Sequence, residues 1–128
     1  MIGARVLGRF TPTQWTSDTI EQEFKALAYL PACCRKERIS VRIPQGLPVM
    51  YDNTQWHQDG GGTAGTTRHM VIWASEMPTD LKDAAGDIAE LQPLDVVWFD
   101  NTICWHRQPA GTNETLRWFV AIRCSGAL

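Results

Sequence analysis

The sequence predicts a mainly β protein, a sandwich or jelly roll with one N-terminal helix. Three observations carry this expectation. Seven or eight short runs of alternating or continuous apolar residues are separated by Pro, Gly, Asn and Asp. Only one stretch, near the N-terminus, has helical spacing. The chain has 128 residues, 44% hydrophobic and 20% charged, the size and balance of a single globular domain over 1–128.

The elements follow in order. Ala4 to Phe10 reads as a short strand. Asp18 is placed as a helix N-cap, with Glu21 at capping-box spacing. Ile20, Phe24, Leu27 and Ala28 then fall at i, i+4, i+7 and i+8 and make one apolar face, and Pro31 stops the helix. Cys33 to Arg38 is polar and basic, so it reads as a surface connection. The period then changes to two: Ile39, Val41 and Ile43 alternate with Ser40 and Arg42. Pro44 to Pro48 is a turn, Val49 to His57 the next strand, and Gly60 to Gly62 a tight loop. Arg68 to Ser75 is strongly strand-like, and Pro78 to Gly86 is a polar connection with room for one helical turn or a short strand. Ile88 to Leu91, Asp95 to Phe99, Ile103 to Gln108 and Leu116 to Cys124 complete the strands.

Composition excludes several classes. No apolar run approaches the roughly 18 residues of a membrane span. Met1 to Arg9 lacks the sustained apolar stretch of a secretory signal, so a cytoplasmic location is expected. A net charge of −2 argues against nucleic acid as a partner. Four cysteines with no paired Cys-x-x-Cys spacing are expected to be free or buried thiols in a reducing compartment. Six tryptophans are many for this length, enough for the core, a cleft and a homodimer interface. There is no Ser-His-Asp order, phosphate-binding loop or dinucleotide fingerprint.

The chemistry concentrates in Trp56-His57-Gln58-Asp59. On a strand, positions i and i+2 share a face, so His57 and Asp59 can aim an imidazole and a carboxylate at one point. His106 lies on another strand-like run, Ile103-Cys104-Trp105-His106. Two histidines and one carboxylate make the facial triad of non-haem Fe(II) sites, which leaves positions open for substrate and oxygen.

The order of His57-x-Asp59, then Leu94-Asp95-Val96-Val97-Trp98-Phe99-Asp100, then His106, then Arg117 resembles the 2-oxoglutarate/Fe(II)-dependent dioxygenases. The resemblance covers about residues 39–124 and implies a double-stranded β-helix, a jelly roll of cupin-like shape. It implies Fe(II) at His57, Asp59 and His106, and an enzyme that couples decarboxylation of 2-oxoglutarate to hydroxylation of a small-molecule or peptide substrate. It also implies that Arg117, eleven residues after His106, pairs with the distal carboxylate of the cosubstrate. A guanidinium fork matches a carboxylate bidentately. Where the family has Gly-Asp before its sixth strand, this chain has Leu94-Asp95.

Further residues are candidates by strand parity. Tyr51 shares a face with His57 and is placed as a cosubstrate contact or an inward core tyrosine. Arg123 shares a face with Arg117 and is placed as a second cosubstrate contact or a strand-end residue reaching solvent. An Arg-x5-Arg pair also occurs in a nucleic-acid demethylase group of the family, which likewise begins its metal motif with His-Gln-Asp. Arg68 and Gln108 are placed at the pocket edge, and His69, of opposite parity, outside the site. Two other classes stay open: a cupin-like metal enzyme without 2-oxoglutarate, and a non-enzymatic jelly-roll binding module.

Overall fold

The computed structural model describes residues 1–35, 40–42, 55–58, 68–109 and 118–124. It is mainly β, with antiparallel sheets and one helix of more than a single turn. The strands are β1 (Ala4–Arg9), β2 (Ser40–Arg42), β3 (His69–Ala74), β4 (Asp80–Lys82), β5 (Asp95–Asp100), β6 (Trp105–Arg107) and β7 (Phe119–Cys124). The helices are α1 (Ser17–Lys25) and the four-residue α2 (Ala32–Arg35). Most of the expected third strand, Val49 to His57, lies outside the described residues.

Five strands form a large sheet in the order β1-β5-β3-β7-β2, and β4 and β6 pair in a small one. Two single bridges widen the small sheet. His57 joins the free side of β6 through His106, and Ile88 joins β4 through Lys82. Among the described residues, β2, the His57 bridge, β3, β4, β5, β6 and β7 fall in turn on the large and the small sheet, with Ile88 adding to the small sheet after β4.

The period-two pattern is why the large sheet sits at the centre. Every residue of β3 is buried, because both of its faces are covered. Val71 and Trp73 face α1 and pack with Phe10, Ile20, Phe24, Val96, Val120 and Ile122. Met70 and Ile72 face the small sheet and pack with Leu81, Val97, Phe99 and Cys104. Trp73 anchors the helix side: its indole N–H donates to the Phe10 carbonyl at 3.0 Å, and its ring meets Phe10 edge-on.

Three local expectations are corrected. The N-cap of α1 is Thr16 rather than Asp18; its hydroxyl accepts from the Thr19 amide at 3.2 Å, and Asp18 sits in the first turn. The helix ends at Lys25, earlier than Pro31, and Leu27 and Tyr29 pack on the core from the following turns. The tyrosine approaches β1 where Gly8 has no side chain: a Cβ there would lie 2.7 Å from the ring.

The third correction concerns cysteine. The Cys33 to Arg38 connection opens with α2, whose Cys34 is fully buried and forms a disulfide with Cys124, with Cα atoms 5.7 Å apart. The expectation of free thiols holds for Cys104, which is buried, forms no disulfide and donates its thiol to the Gly3 carbonyl at 3.3 Å. Burial pushes its thiol pKa up, as do the nearby Asp100 and Asp83 charges. It is a core side chain rather than a nucleophile.

The turn before β5 explains the departure at Leu94. Its φ of 72° is left-handed, the conformation glycine tolerates best. The turn is closed by Asp95, whose carboxylate accepts from the Gln92 amide at 2.9 Å. Leucine occupies a glycine conformation here because its side chain packs on the helix-side core.

Candidate functional site

His57 and His106 are brought together by backbone pairing. Each amide donates to the other residue's carbonyl at 3.0 Å. Directly opposed residues of an antiparallel pair project to the same side, so the two imidazoles meet, with ring centres 4.3 Å apart and planes tilted by 56°.

The His57 ring is fixed further. Its Nδ1 lies 2.7 Å from the Gln55 carbonyl. A carbonyl only accepts, so Nδ1 carries a proton in this contact and the ring plane is set by it. Metal-binding histidines are oriented by this kind of contact.

His106 is held from the other side. It is buried, it lies opposite the fully buried Leu81 of β4, and its ring centre is 5.3 Å from that of Phe99 on the large sheet. The Gln58 side chain ties the same strands together by donating to the Cys104 carbonyl at 3.2 Å.

The chemistry of the donors fits a divalent transition metal. Two imidazoles bound through Nε2 at about 2.1 Å, at a right angle, have ring centres about 4.5 Å apart. The observed 4.3 Å is close to that value. Among the described residues no three His, Cys, Asp or Glu side chains converge. The expected third ligand, Asp59, lies outside them, as do Tyr51 and Arg117.

The remaining candidates lie around the pair. Arg123 is exposed on β7 and stands opposite Met70, which stands opposite Phe99. Phe99, Met70 and Arg123 therefore form one row on the face that looks toward the small sheet. Two strand spacings, about 10 Å, separate its ends. Arg68 is exposed one residue before β3, and its amide donates to the Cys124 carbonyl at 3.3 Å. By parity it shares the Met70 face, so Arg68 and Arg123 neighbour each other at one end of β3 and β7. Gln108 is half-buried, two residues past His106.

His69 lies on the opposite face of the large sheet, stacked on Trp98 at 5.3 Å. Burial pulls its pKa below the usual value, Asp100 opposes that shift, and Arg68 adds to it.

Two contributors were not foreseen. Phe99 was read only as a strand residue, and its place beneath His106 depends on which sheets face each other. The Gln55 carbonyl has no sequence signal, since every residue carries one. The flanking Trp56 and Trp105 lie on the other side of their strands from the histidines; Trp105 is 42% exposed, and Trp56 lies against Arg107 and Lys82.

No family model, curated protein or solved structure matches the chain. No helix among the described residues is long and apolar enough to cross a membrane. The functional reading therefore stands on the residues and their geometry.

Proposed function

We propose that this chain is a non-haem Fe(II), 2-oxoglutarate-dependent oxygenase built on a double-stranded β-helix. One observation carries the reading: two of the three histidines, far apart in sequence, form an opposed pair with their rings in contact and the His57 ring oriented by the Gln55 carbonyl. The crossing of the chain between two sheets from β3 to β7, among the described residues, supports the fold, because a jelly roll is wound in that way. His57, Asp59 and His106 would hold the metal. A ferrous ion there would supply the family's chemistry, in which oxidative decarboxylation of 2-oxoglutarate is coupled to hydroxylation of a substrate.

The chain's own residues have separate tasks. His57 and His106 present their imidazoles side by side, held by the backbone pairing of their strands. Phe99 and Leu81 close the site from below and keep water from the inner side of His106. Arg117 offers a fork to the distal carboxylate of the cosubstrate, with Tyr51 as a second contact. Arg123 and Arg68 bring positive charge to the adjoining sheet end and favour an anionic cosubstrate. The substrate is a small molecule or a peptide side chain.

The test is an anaerobic titration of the purified protein with Fe(II) and then 2-oxoglutarate, followed in the visible range. The expected result is a saturable charge-transfer band that Arg117→Ala weakens while iron binding persists. Iron binding without a band overturns the cosubstrate assignment and leaves a cupin-like metal enzyme. Failure to bind iron overturns the metal assignment and leaves a binding module.

A further inference from the structure

The segments that carry the two histidines are joined by an isolated bridge. Such a bridge fixes one pair of residues and leaves a seam that can twist about it. In an antiparallel ladder the hydrogen-bonded pairs recur at every second residue, so the pair after His57 and His106 would join position 59 to Cys104. Cys104 is committed elsewhere. Its amide donates to the Asp100 carbonyl at 2.9 Å, and its carbonyl accepts from the Gln58 side chain at 3.2 Å. A side-chain amide thus holds the carbonyl that a regular ladder would give to a backbone amide. That carbonyl is a firm anchor. It belongs to the turn that leaves β5, which is closed by the Asp100 carboxylate accepting from the Thr102 amide at 2.9 Å and the Thr102 hydroxyl at 2.6 Å. The Asp100 amide in turn donates to the Gly3 carbonyl at 2.8 Å, and the Cys104 side chain is fully buried in the core between the sheets. Gln58 therefore ties the segment bearing His57 to the end of the large sheet as well as to the small one.

We propose that Gln58 is a positioning residue for the metal centre. The inference rests on the reading of His57, Asp59 and His106 as metal ligands. Gln58 is no ligand in that reading and acts through the Cys104 carbonyl. Its place in the sequence is between His57 and Asp59, so the attachment falls between two of the three proposed ligands. The Gln55 carbonyl sets the plane of the His57 ring, and the bridge sets which residue faces it. Neither contact stops the His57 segment from turning about the bridge. The Gln58 bond, one residue further along, supplies that restraint and keeps the two imidazoles side by side before an ion arrives. Its loss lets the rings part, which lowers metal affinity without unfolding the large sheet.

Titration of the purified protein with Co(II), read by its visible ligand-field absorption, tests this without turnover or 2-oxoglutarate. The wild type is expected to give a saturable spectrum. Gln58→Met has a similar length and no N–H, and should weaken cobalt binding by about tenfold or more and change the shape of the spectrum. Gln58→Asn keeps the amide but shortens its reach by one methylene. It should behave alike, which keeps the test open where Gln58→Met fails to fold. In the metal-free protein both variants should speed hydrogen exchange at the His57 and His106 amides and leave those of Val71 and Ile72, in the middle of β3, unchanged. Variants with wild-type cobalt affinity and spectrum overturn the proposal and leave the metal reading standing. A fall in thermal stability with affinity and spectrum intact overturns it too, and makes the Gln58 bond structural only. A wild type that binds no cobalt overturns the metal reading itself and the proposal with it.

Discussion

Reducing the Cys34–Cys124 bond should lower the stability of the protein by about 4.5 kcal/mol, if the bond acts chiefly by restricting the unfolded chain. The two cysteines are 90 residues apart, so the bond closes most of the chain into one loop. In the chain-entropy model a loop of that length removes nearly as much unfolded-state freedom as any disulfide in a small domain can. Both residues are fully buried between α2 and the end of β7, so solvent reductants reach the bond only when that end of the sheet opens.

The assay is urea unfolding with and without reductant, each sample unfolded first so that reduction goes to completion. With a slope of about 2 kcal/mol per molar, the midpoint falls by roughly 2 M on reduction. A domain of ordinary stability, about 5–15 kcal/mol, then lies near the threshold of folding or keeps a modest reserve. Cys34→Ala with Cys124→Ala should reproduce the lower midpoint and be indifferent to reductant. A fully reduced, alkylated protein with the midpoint of the oxidised one would refute the reasoning. It would mean that the sulfurs pack as thiols and that the core alone supplies the stability.

At position 94, glycine should be better tolerated than alanine. Both lose the packing of Leu94, but only glycine relieves its left-handed backbone, worth about 1–2 kcal/mol, so urea midpoints should rank wild type and Leu94→Gly close together and Leu94→Ala lowest. Phe99→Leu removes a fully buried ring from beneath His106 and should cost about 1–2.5 kcal/mol in stability, and cobalt affinity should fall by up to about tenfold if the ring also orients the imidazole. Unchanged cobalt affinity in a destabilised variant would separate Phe99 from the site. Asp83 accepts hydrogen bonds from the amides of Ile2, Asp87 and Ala85, which hold its carboxyl below the usual range. Its contribution is therefore present above about pH 4 and is lost as the pH falls through the lower folded-state value. Asp83→Ala should flatten that acid limb of the stability curve, read by thermal melts at a series of pH values.

Strand positions were legible because half-buried and fully buried strands leave period-two or continuous apolar runs. β1, β3 and β7 lie within the runs that predicted them, and β5 extends one residue past its own. Their partners were not legible. Nothing in the run from Arg68 to Ser75 says that it lies between β5 and β7, since pairing is a property of two segments. The helix start was misplaced by two residues because Thr16 and Asp18 are both good caps, and only the approach of the chain decides which hydroxyl or carboxylate meets a free amide. Cys34 was misread for a related reason. Its neighbours are polar and basic, and a single turn of helix buries one side chain of such a segment without changing its average composition.

The site divides along the same line. That His57 and His106 belong together was expected from donor chemistry and from the family resemblance, since parity relates only residues of one strand, such as His57 and Asp59. What keeps them together was not. The small sheet has strands of three residues and single bridges, too few ladder hydrogen bonds to fix its own position. Its register is set by the side chains it turns inward: Leu81 and His106 settle on Phe99, in a strand flanked on both edges by β1 and β3. The large sheet is thus the rigid frame, and the histidine pair is positioned against it by packing. This arrangement places the two histidines on the element with the least hydrogen bonding of its own.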